Sequence, residues 1–269
     1  TFLCVADRVL LATGHWFEKM EAATYFPSPW PANNLLRKIP QGEKIAVIGT
    51  SLSAIEVVLT LTSNGDFIRD DANELVFVPP ANPRRFVLYS RRGLLPKVRG
   101  KMGTYRNTFL TRANLKSLIA ENQGYLKLEA VFDLLNRELK AAYGRSIDWQ
   151  AVVNPTRTPA DLLQQYLEDA RNGDGPEGEL LWQTVLYQSF DMVREIYLKL
   201  SLEDRMYFDK EYTPVLFAHA ATQPAINAEK MLALMRVGHV EVVKLGSDYQ
   251  FIKNDTTAIY EFVYQGAVG

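Results

Sequence analysis

The sequence predicts an α/β protein, in which a parallel sheet carries helices on both faces and a long helical segment interrupts the sheet. Short runs of apolar, β-branched residues at 44–48, 86–89 and 240–243 have the length of buried strands. Between residues 107 and 238 the apolar positions recur instead with helical spacing. Strands that alternate with helices are typical of parallel sheets covered by helices.

The strands are predicted in chain order at 5–14, 44–48, 75–78, 86–89, 240–243, 249–252 and 258–264. Residues 24–41 contain four prolines and are predicted to form an extended connection. Residues 64–84 are polar and rich in turn residues on either side of the strand at 75–78. Together these features place one α/β unit around the helical segment.

Helix ends are predicted from capping residues. A helix is expected at 53–62, and Thr111 caps a helix that ends at Gly124. Further helices are expected up to Gly144, from Thr158-Pro159, over the amphipathic stretch 181–200, and from Asn227 to Gly238.

Composition excludes several classes of function. The 269 residues are 47% apolar and 23% charged with a net charge of −1, which is ordinary for a globular protein and does not favour a nucleic-acid partner. Cys4 is the single cysteine, and the three histidines are far apart, so neither a disulfide framework nor a metal-binding motif is predicted. No apolar run approaches the roughly 20 residues of a membrane span, and we expect a cytoplasmic protein without a membrane partner.

The most informative segment follows the strand at 44–48. Its order of strand, Gly49, small polar residues and apolar helix is typical of a turn that binds a dinucleotide. In the pattern G-x-G-x-x-G/A the three positions are Gly49, Ser51 and Ala54, and serine replaces the usual middle glycine. The candidate cofactor-binding residues here are Gly49, Thr50, Ser51, Leu52, Ser53 and Ala54. The alternative is an α/β crossover whose turn is small and polar without binding a ligand.

Two arginines follow the next strand of the unit. The residue at this position reads the ribose of a bound dinucleotide, and an arginine there accommodates the 2′-phosphate of NADP. Arg91 and Arg92 occupy this position and no acid does, so the pattern favours NADP over NAD. The separation from Gly49 exceeds the usual spacing of about 20 residues, so the insert 64–84 has to loop out. The alternative is a pair of solvated arginines.

Other polar residues offer weaker indications. Lys97, Arg99 and Lys101 could line the same anion site or form a solvated loop, and Glu56 could face the nicotinamide or solvent. His219 in a loop-like stretch, and His15 after Gly14, could be acid/base groups or structural histidines. The catalytic residues are therefore left open.

Three stretches carry a resemblance to a known family. The segment Val9 to His15, with Ala12-Thr13-Gly14, resembles the A-T-G element of flavoproteins that bind two dinucleotides. The segment Gly49 to Glu56 is similar to the G-x-G-x-S-[AG]-x-E fingerprint of flavin monooxygenases, and Arg91 falls where those proteins carry an arginine that reads NADP. The stretch from Glu203 to Gly238 resembles the helical insert of bacterial FAD-NAD(P)-binding proteins.

The resemblance implies an oxidoreductase that depends on FAD and NAD(P)H, monooxygenase-like or reductase-like, of which this chain supplies the NAD(P)H-binding part. It divides the chain into a strand and connection from an FAD-type domain at 1–43, a Rossmann-like three-layer unit at 44–106 plus 239–269, and a helical insertion at 107–238. Thr13 and Gly14 join the residues of the turn and the two arginines as cofactor-binding residues.

The resemblance also implies where the flavin is held. FAD would bind to the full-length protein, whose own FAD fingerprint would precede Thr1, and the missing FAD domain would be a partner of this chain. We therefore expect a piece of a longer protein that does not hold FAD tightly alone. The alternative is a non-catalytic Rossmann-like module with a vestigial nucleotide site, whose helical block docks a protein partner. The substrate is not predicted.

Overall fold

Parallel strands form the main sheet, as expected for the α/β class. The computed structural model describes residues 25–253 and 260–264. Their strands are β1 (Lys44–Ile48), β2 (Asp66–Arg69), β3 (Leu75–Val78), β4 (Arg85–Ser90), β5 (Val240–Lys244), β6 (Tyr249–Lys253) and β7 (Tyr260–Tyr264). The main sheet has the order β1-β4-β5, with Ile48 opposite Tyr89 and Ser90 opposite Lys244. The antiparallel pairs β2-β3 and β6-β7 are separate two-stranded sheets.

The helices of the described residues are α1 (Ala32–Lys38), α2 (Leu52–Leu61), α3 (Arg112–Glu121), α4 (Leu128–Tyr143), α5 (Trp149–Val153), α6 (Pro159–Asn172), α7 (Leu181–Ser189), α8 (Val193–Lys199), α9 (Leu202–Glu211), α10 (Thr213–Ala220) and α11 (Ala225–Arg236). The structure confirms three of the predicted capping residues. Thr111 accepts from Asn114 N, Thr158 accepts from Asp161 N, and Gly144 closes α4 with a left-handed backbone.

One hydrophobic core packs the sheet against helices that precede and follow β4 in the chain. Val58 of α2, Leu88 of β4 and Leu234 of α11 are fully buried in the same cluster, which also holds Leu163 of α6. Helices α6 and α11 belong to the predicted insertion 107–238, yet they pack in the core of the sheet. The helical segment therefore shares this core rather than forming a wholly separate one.

A second apolar cluster lies between α3, α4 and α8 and includes the buried residues Leu115, Leu128 and Leu200. A buried carboxylate ties it to the preceding loop. Glu138 of α4 accepts hydrogen bonds from Tyr105 Oη at 2.5 Å and from the amides of Thr108, Phe109 and Leu110 at 2.9, 2.6 and 2.7 Å. These bonds fix the chain where it leaves the sheet unit.

Several predicted elements differ from the structure. The single helix expected over 181–200 is broken into α7, a 3-10 turn at Phe190–Met192 and α8. Ser189 Oγ donates to Val185 O at 2.8 Å, and such a bond to the carbonyl four residues earlier bends helices. The polar stretch 64–84 contains β2 in addition to β3, and the proline-rich connection contains α1.

The loop-like stretch around His219 is also helical. Ser201 caps α9 by accepting from Asp204 N at 3.0 Å, and Pro214 lies in the first turn of α10, where proline is tolerated because its missing N–H would have no partner. His219 is therefore a buried residue on a helix. The strand predicted at 5–14, with Thr13, Gly14 and His15, lies outside the described residues.

Candidate functional site

The turn between β1 and α2 has a backbone that requires glycine at its first position. Gly49 has a φ of +117°, and its N–H donates to Tyr89 O at 2.7 Å, which continues the pairing with β4. A Cβ atom placed on Gly49 would meet no heavy atom within 4 Å. The restriction to glycine thus comes from the backbone conformation, and the face above the residue is open.

The two following residues have opposite orientations. Thr50 is buried, and its Oγ1 donates to Leu94 O at 2.5 Å, close to Ser90 Oγ at 3.2 Å. Ser51 is exposed, forms the N-cap of α2 with a φ of −82°, and makes no capping hydrogen bond with its side chain. A φ in this range suits any L-residue, so serine replaces the expected glycine without strain.

The N-terminus of α2 has free hydrogen-bond donors. The amides of Ala54 and Ile55 donate to Ser51 O, at 2.9 and 3.2 Å. The amides of Ser51, Leu52 and Ser53 have no acceptor within the described part of the chain. The first turn also lacks an acidic residue. Unpaired amides and the positive end of the helix dipole make this turn suitable for an anion.

The structure separates the two arginines that follow β4. Arg91 is exposed, and its side chain has no ion pair or hydrogen bond to any described residue. It comes directly after Ser90, whose hydroxyl lies beside that of Thr50. Arg92 instead pairs with Glu211 of α9 and donates from Nη1 to Asn154 Oδ1 at 3.1 Å. The structure therefore gives Arg92 a partner in the helical segment and gives Arg91 none among the described residues.

The basic run after the arginines does not line the turn as a group. Arg99 bonds to Thr222 Oγ1 at 3.3 Å, and Lys101 Nζ bonds to Glu177 O at 3.0 Å. Glu56 is exposed on α2. Lys97 lines a cavity that is a different site.

The cavity at Lys97 has a volume of about 210 Å³ and lies where α5, α6, α7 and α10 meet. Lys97 Nζ lies 3.6 Å from the ring centroid of Tyr166 and 5.8 Å from that of Trp182. Burial lowers the pKa of the Lys97 ammonium to about 8, although Asp169 opposes the shift. The spacing of Lys97 and His219 along the chain does not indicate that they meet, but the fold places both in the lining of this cavity.

His219 is held as a neutral imidazole. Its Nδ1 lies 2.8 Å from Val215 O, so Nδ1 carries the proton and Nε2 is left as an acceptor. Burial, with a contribution from the charge of Lys97, lowers the pKa of His219 to about 3. Trp182 packs edge-on against the imidazole with centroids 5.5 Å apart. His219 also borders a second cavity of about 130 Å³ in the helical segment, which has an almost wholly apolar lining.

Residues 25–253 and 260–264 contain neither a candidate metal site nor a candidate membrane-spanning helix. No group of three or more histidine, cysteine, aspartate or glutamate side chains within them could hold a metal ion. None of their helices combines the length and the apolar character that crossing a bilayer demands.

Fold and site together define a mixed α/β protein with a parallel sheet and an open glycine turn after its strand β1. No family model matches the chain. It is similar to the uncharacterized protein YdhS of Escherichia coli (strain K12), with 26% identity over 277 residues, covering 94% of this chain and 51% of that protein. The chain therefore spans about half the length of the curated relative it matches.

Proposed function

We propose that this chain is the NAD(P)H-binding part of an FAD-dependent oxidoreductase with a Rossmann-like unit, as its resemblance to bacterial FAD-NAD(P)-binding proteins suggests. The observation that carries the proposal is the group of three amides at the start of α2 that have no acceptor among the described residues. Arg91, at the end of the neighbouring strand, also has no partner among those residues. The order β1-β4-β5 with a helix after β1 supports it, because dinucleotides bind at the carboxyl ends of such strands.

The residues of the turn fit the cofactor. The open face of Gly49 and the amides of Ser51, Leu52 and Ser53 would hold the pyrophosphate, and the guanidinium of Arg91 would hold the 2′-phosphate of NADP. The bound nicotinamide would supply a hydride for the flavin. The part played by this chain is to bind and orient the nucleotide. FAD would be held by residues beyond this sequence, and the substrate is left open.

Arg91 provides the direct test of cofactor choice. We expect calorimetric titration to show that the chain binds NADPH more tightly than NADH. Arg91→Ala should weaken NADPH binding roughly 10- to 100-fold, since a hydrogen-bonded charged pair contributes about 1.5–3 kcal/mol. NADH binding should change little. Arg85→Ala is the matched control, because Arg85 is an exposed arginine at the opposite end of the same strand.

A substitution at Ser51 tests nucleotide binding at the turn without destabilising the fold. Ser51→Asp places a carboxylate at the N-cap, where aspartate stabilises helices, but directly in the proposed path of the pyrophosphate. The variant should unfold at the same or higher urea concentration and should lose NADPH binding. Ser51→Asn is the control of equal size and no charge. Equal NADPH affinity of the aspartate and asparagine variants would refute this use of the turn.

The alternative function predicts that no nucleotide binds. A non-catalytic module with a vestigial nucleotide site, whose helical block docks a protein partner, would bind neither NADPH nor NADH. Failure of both nucleotides to bind to this chain, and to a longer protein that includes it, would favour this alternative.

A further inference from the structure

The cavity that contains Lys97 holds an ammonium group that makes no direct ion pair with a described residue. No carboxylate oxygen of the described residues lies within 4.0 Å of Lys97 Nζ, and the group makes no hydrogen bond to them. Its Nζ lies over the ring of Tyr166, 3.6 Å from the centroid, and Asp169 acts on it electrostatically without a direct ion pair. A partly buried cation with no anion in contact is costly, so an anionic ligand that touches Lys97 would stabilise this arrangement.

The backbone of Lys97 is fixed by hydrogen bonds on both its N–H and its carbonyl group. Lys97 N donates to Ala218 O at 2.7 Å, and Lys97 O accepts from Gln223 N at 2.9 Å. Adjacent Val98 forms a parallel bridge with Gln223. The ammonium is therefore presented from a fixed position between α6 and α10.

The two acidic residues of the lining keep their charge, but each accepts a hydrogen bond from a group other than Lys97. Asp169 Oδ1 accepts from Gln165 Nε2 at 2.8 Å, and Asp174 Oδ1 accepts from Leu181 N at 2.6 Å. The second bond also occupies the first amide of α7, which removes that helix start as an anion site. Arg145 adds a second cation to the lining and has no ion pair with a described residue. The lining therefore carries two cations and two carboxylates, and Lys97 is the cation among them that is enclosed and has no anion in direct contact.

We propose that this cavity binds a small monocarboxylic acid with an aromatic body, whose carboxylate pairs with Lys97. The remaining lining fits such a body, because Trp182, Tyr143 and Val152 supply aromatic and aliphatic surface. The volume of about 210 Å³ is many times the roughly 10–15 Å³ that a single water requires. The proposal does not depend on nucleotide binding at Gly49.

Binding of the acid should depend on pH. The pKa of Lys97 is lowered to about 8 by burial, so the free ammonium is lost as the pH rises above 8. His219 has its pKa lowered to about 3 and adds no charge between pH 6 and 9.5. The other charged or titratable groups that line the cavity or face Lys97 are Asp169 and Tyr166 of α6, Asp174, Arg145 and Tyr143.

Benzoate is the probe, with benzamide as its neutral counterpart. We expect isothermal titration at pH 7 to show binding of benzoate at least tenfold tighter than that of benzamide. Raising the pH to 9.5 should weaken benzoate binding roughly 30-fold, since 1.5 pH units above the pKa leave about 3% of the ammonium protonated. Benzamide binding should stay constant. Equal affinities for the two probes, or benzoate binding independent of pH, would overturn the proposal.

A substitution tests the residue itself. Lys97→Met keeps the length and packing of the side chain and removes the charge, so it should fold and lose benzoate binding at least tenfold. Lys101→Met is the control, because Lys101 is an exposed lysine of the same segment that bonds to Glu177. Acetic anhydride labelling of the unmodified protein gives a second readout. Benzoate should protect Lys97 and not Lys101, and equal labelling of Lys97 with and without benzoate would contradict the site.

Discussion

Glu138 offers a stringent test of how the helical segment is held. Replacing it with glutamine keeps the size of the side chain but turns one acceptor oxygen into an NH₂ group. Oε1 receives Tyr105 Oη, while Oε2 receives the amides of Phe109 and Leu110 at 2.6 and 2.7 Å. In the variant, the amide oxygen can stay beside these two N–H donors while the NH₂ group faces the Tyr105 hydroxyl, which can turn to accept. The two amide bonds then lose the negative charge of their acceptor.

The size of the effect follows from those two bonds. A hydrogen bond to a charged acceptor contributes about 1 kcal/mol more than one to a neutral acceptor, so the two amide bonds predict a loss of roughly 2 kcal/mol in the free energy of unfolding. Glu138 is fully buried, so water does not offset the lost charge. Asp133→Asn is the matched control on the exposed face of α4, and it should change stability by about 0.5 kcal/mol or less.

The dependence on pH gives an independent check. Burial alone would raise the pKa of Glu138, but the hydrogen bonds from Tyr105 and from the amides of Thr108, Leu110 and Phe109 outweigh it, and the pKa is lowered. The stabilisation is therefore present above the ordinary glutamate pKa of about 4.3 and is lost as the pH falls towards the lower folded value.

The assay is urea unfolding followed by circular dichroism at pH 7 and at several acidic pH values. The difference between the unmodified protein and Glu138→Gln should be largest at pH 7 and should shrink in acid. A difference below 0.5 kcal/mol at pH 7, or one that does not shrink, would refute the reasoning.

Further predictions concern the turn, the arginine pair and the buried histidine. Gly49→Ala should lower the free energy of unfolding by about 1–2 kcal/mol, measured in urea, because only the backbone at a φ of +117° opposes the new Cβ atom. An unchanged stability would show that this φ is not required. Arg92→Ala should cost about 1–3 kcal/mol by leaving Glu211 unpaired, while NADPH affinity measured by calorimetry stays the same. Weaker NADPH binding by this variant would instead indicate that Arg92 contacts the nucleotide. The imidazole signals of His219 should not titrate between pH 5 and 8 in NMR spectra, because the folded pKa is about 3. The histidine of the unfolded chain takes up a proton near pH 6.5, so stability should decline as the pH falls below that value, and titration of folded His219 near pH 6.5 would contradict the assignment.

Local patterns predicted those elements whose cause is local. The strands β1, β4 and β5 are short apolar runs that lie within one or two residues of their predicted bounds. Thr111, Thr158 and Gly144 act through groups at most four residues away, so their capping could be read from the sequence. The glycine turn is also local, and its first residue has the positive φ that the pattern requires.

Elements fixed by distant contacts were not predictable in this way. The short strand β2 carries Asp66 and Arg69 at its ends and depends on pairing with β3. The region of His219 contains prolines that suggested a loop, although Pro214 lies where a helix accepts it. A missed signal was the Ser201 hydroxyl three residues before Asp204, which is a helix start.

By itself, the amino-acid order determined the α/β class, the parallel strands, most helix ends and the glycine turn, because hydrophobic periodicity and capping act over a few residues. Only the tertiary structure decided that Arg92 pairs with Glu211, 119 positions further along the chain, while Arg91 has no partner among the described residues. It also decided that Lys97 and His219 line one cavity. Long-range packing selects these partners, and the spacing of residues along a chain carries no direct record of which distant side chains will meet.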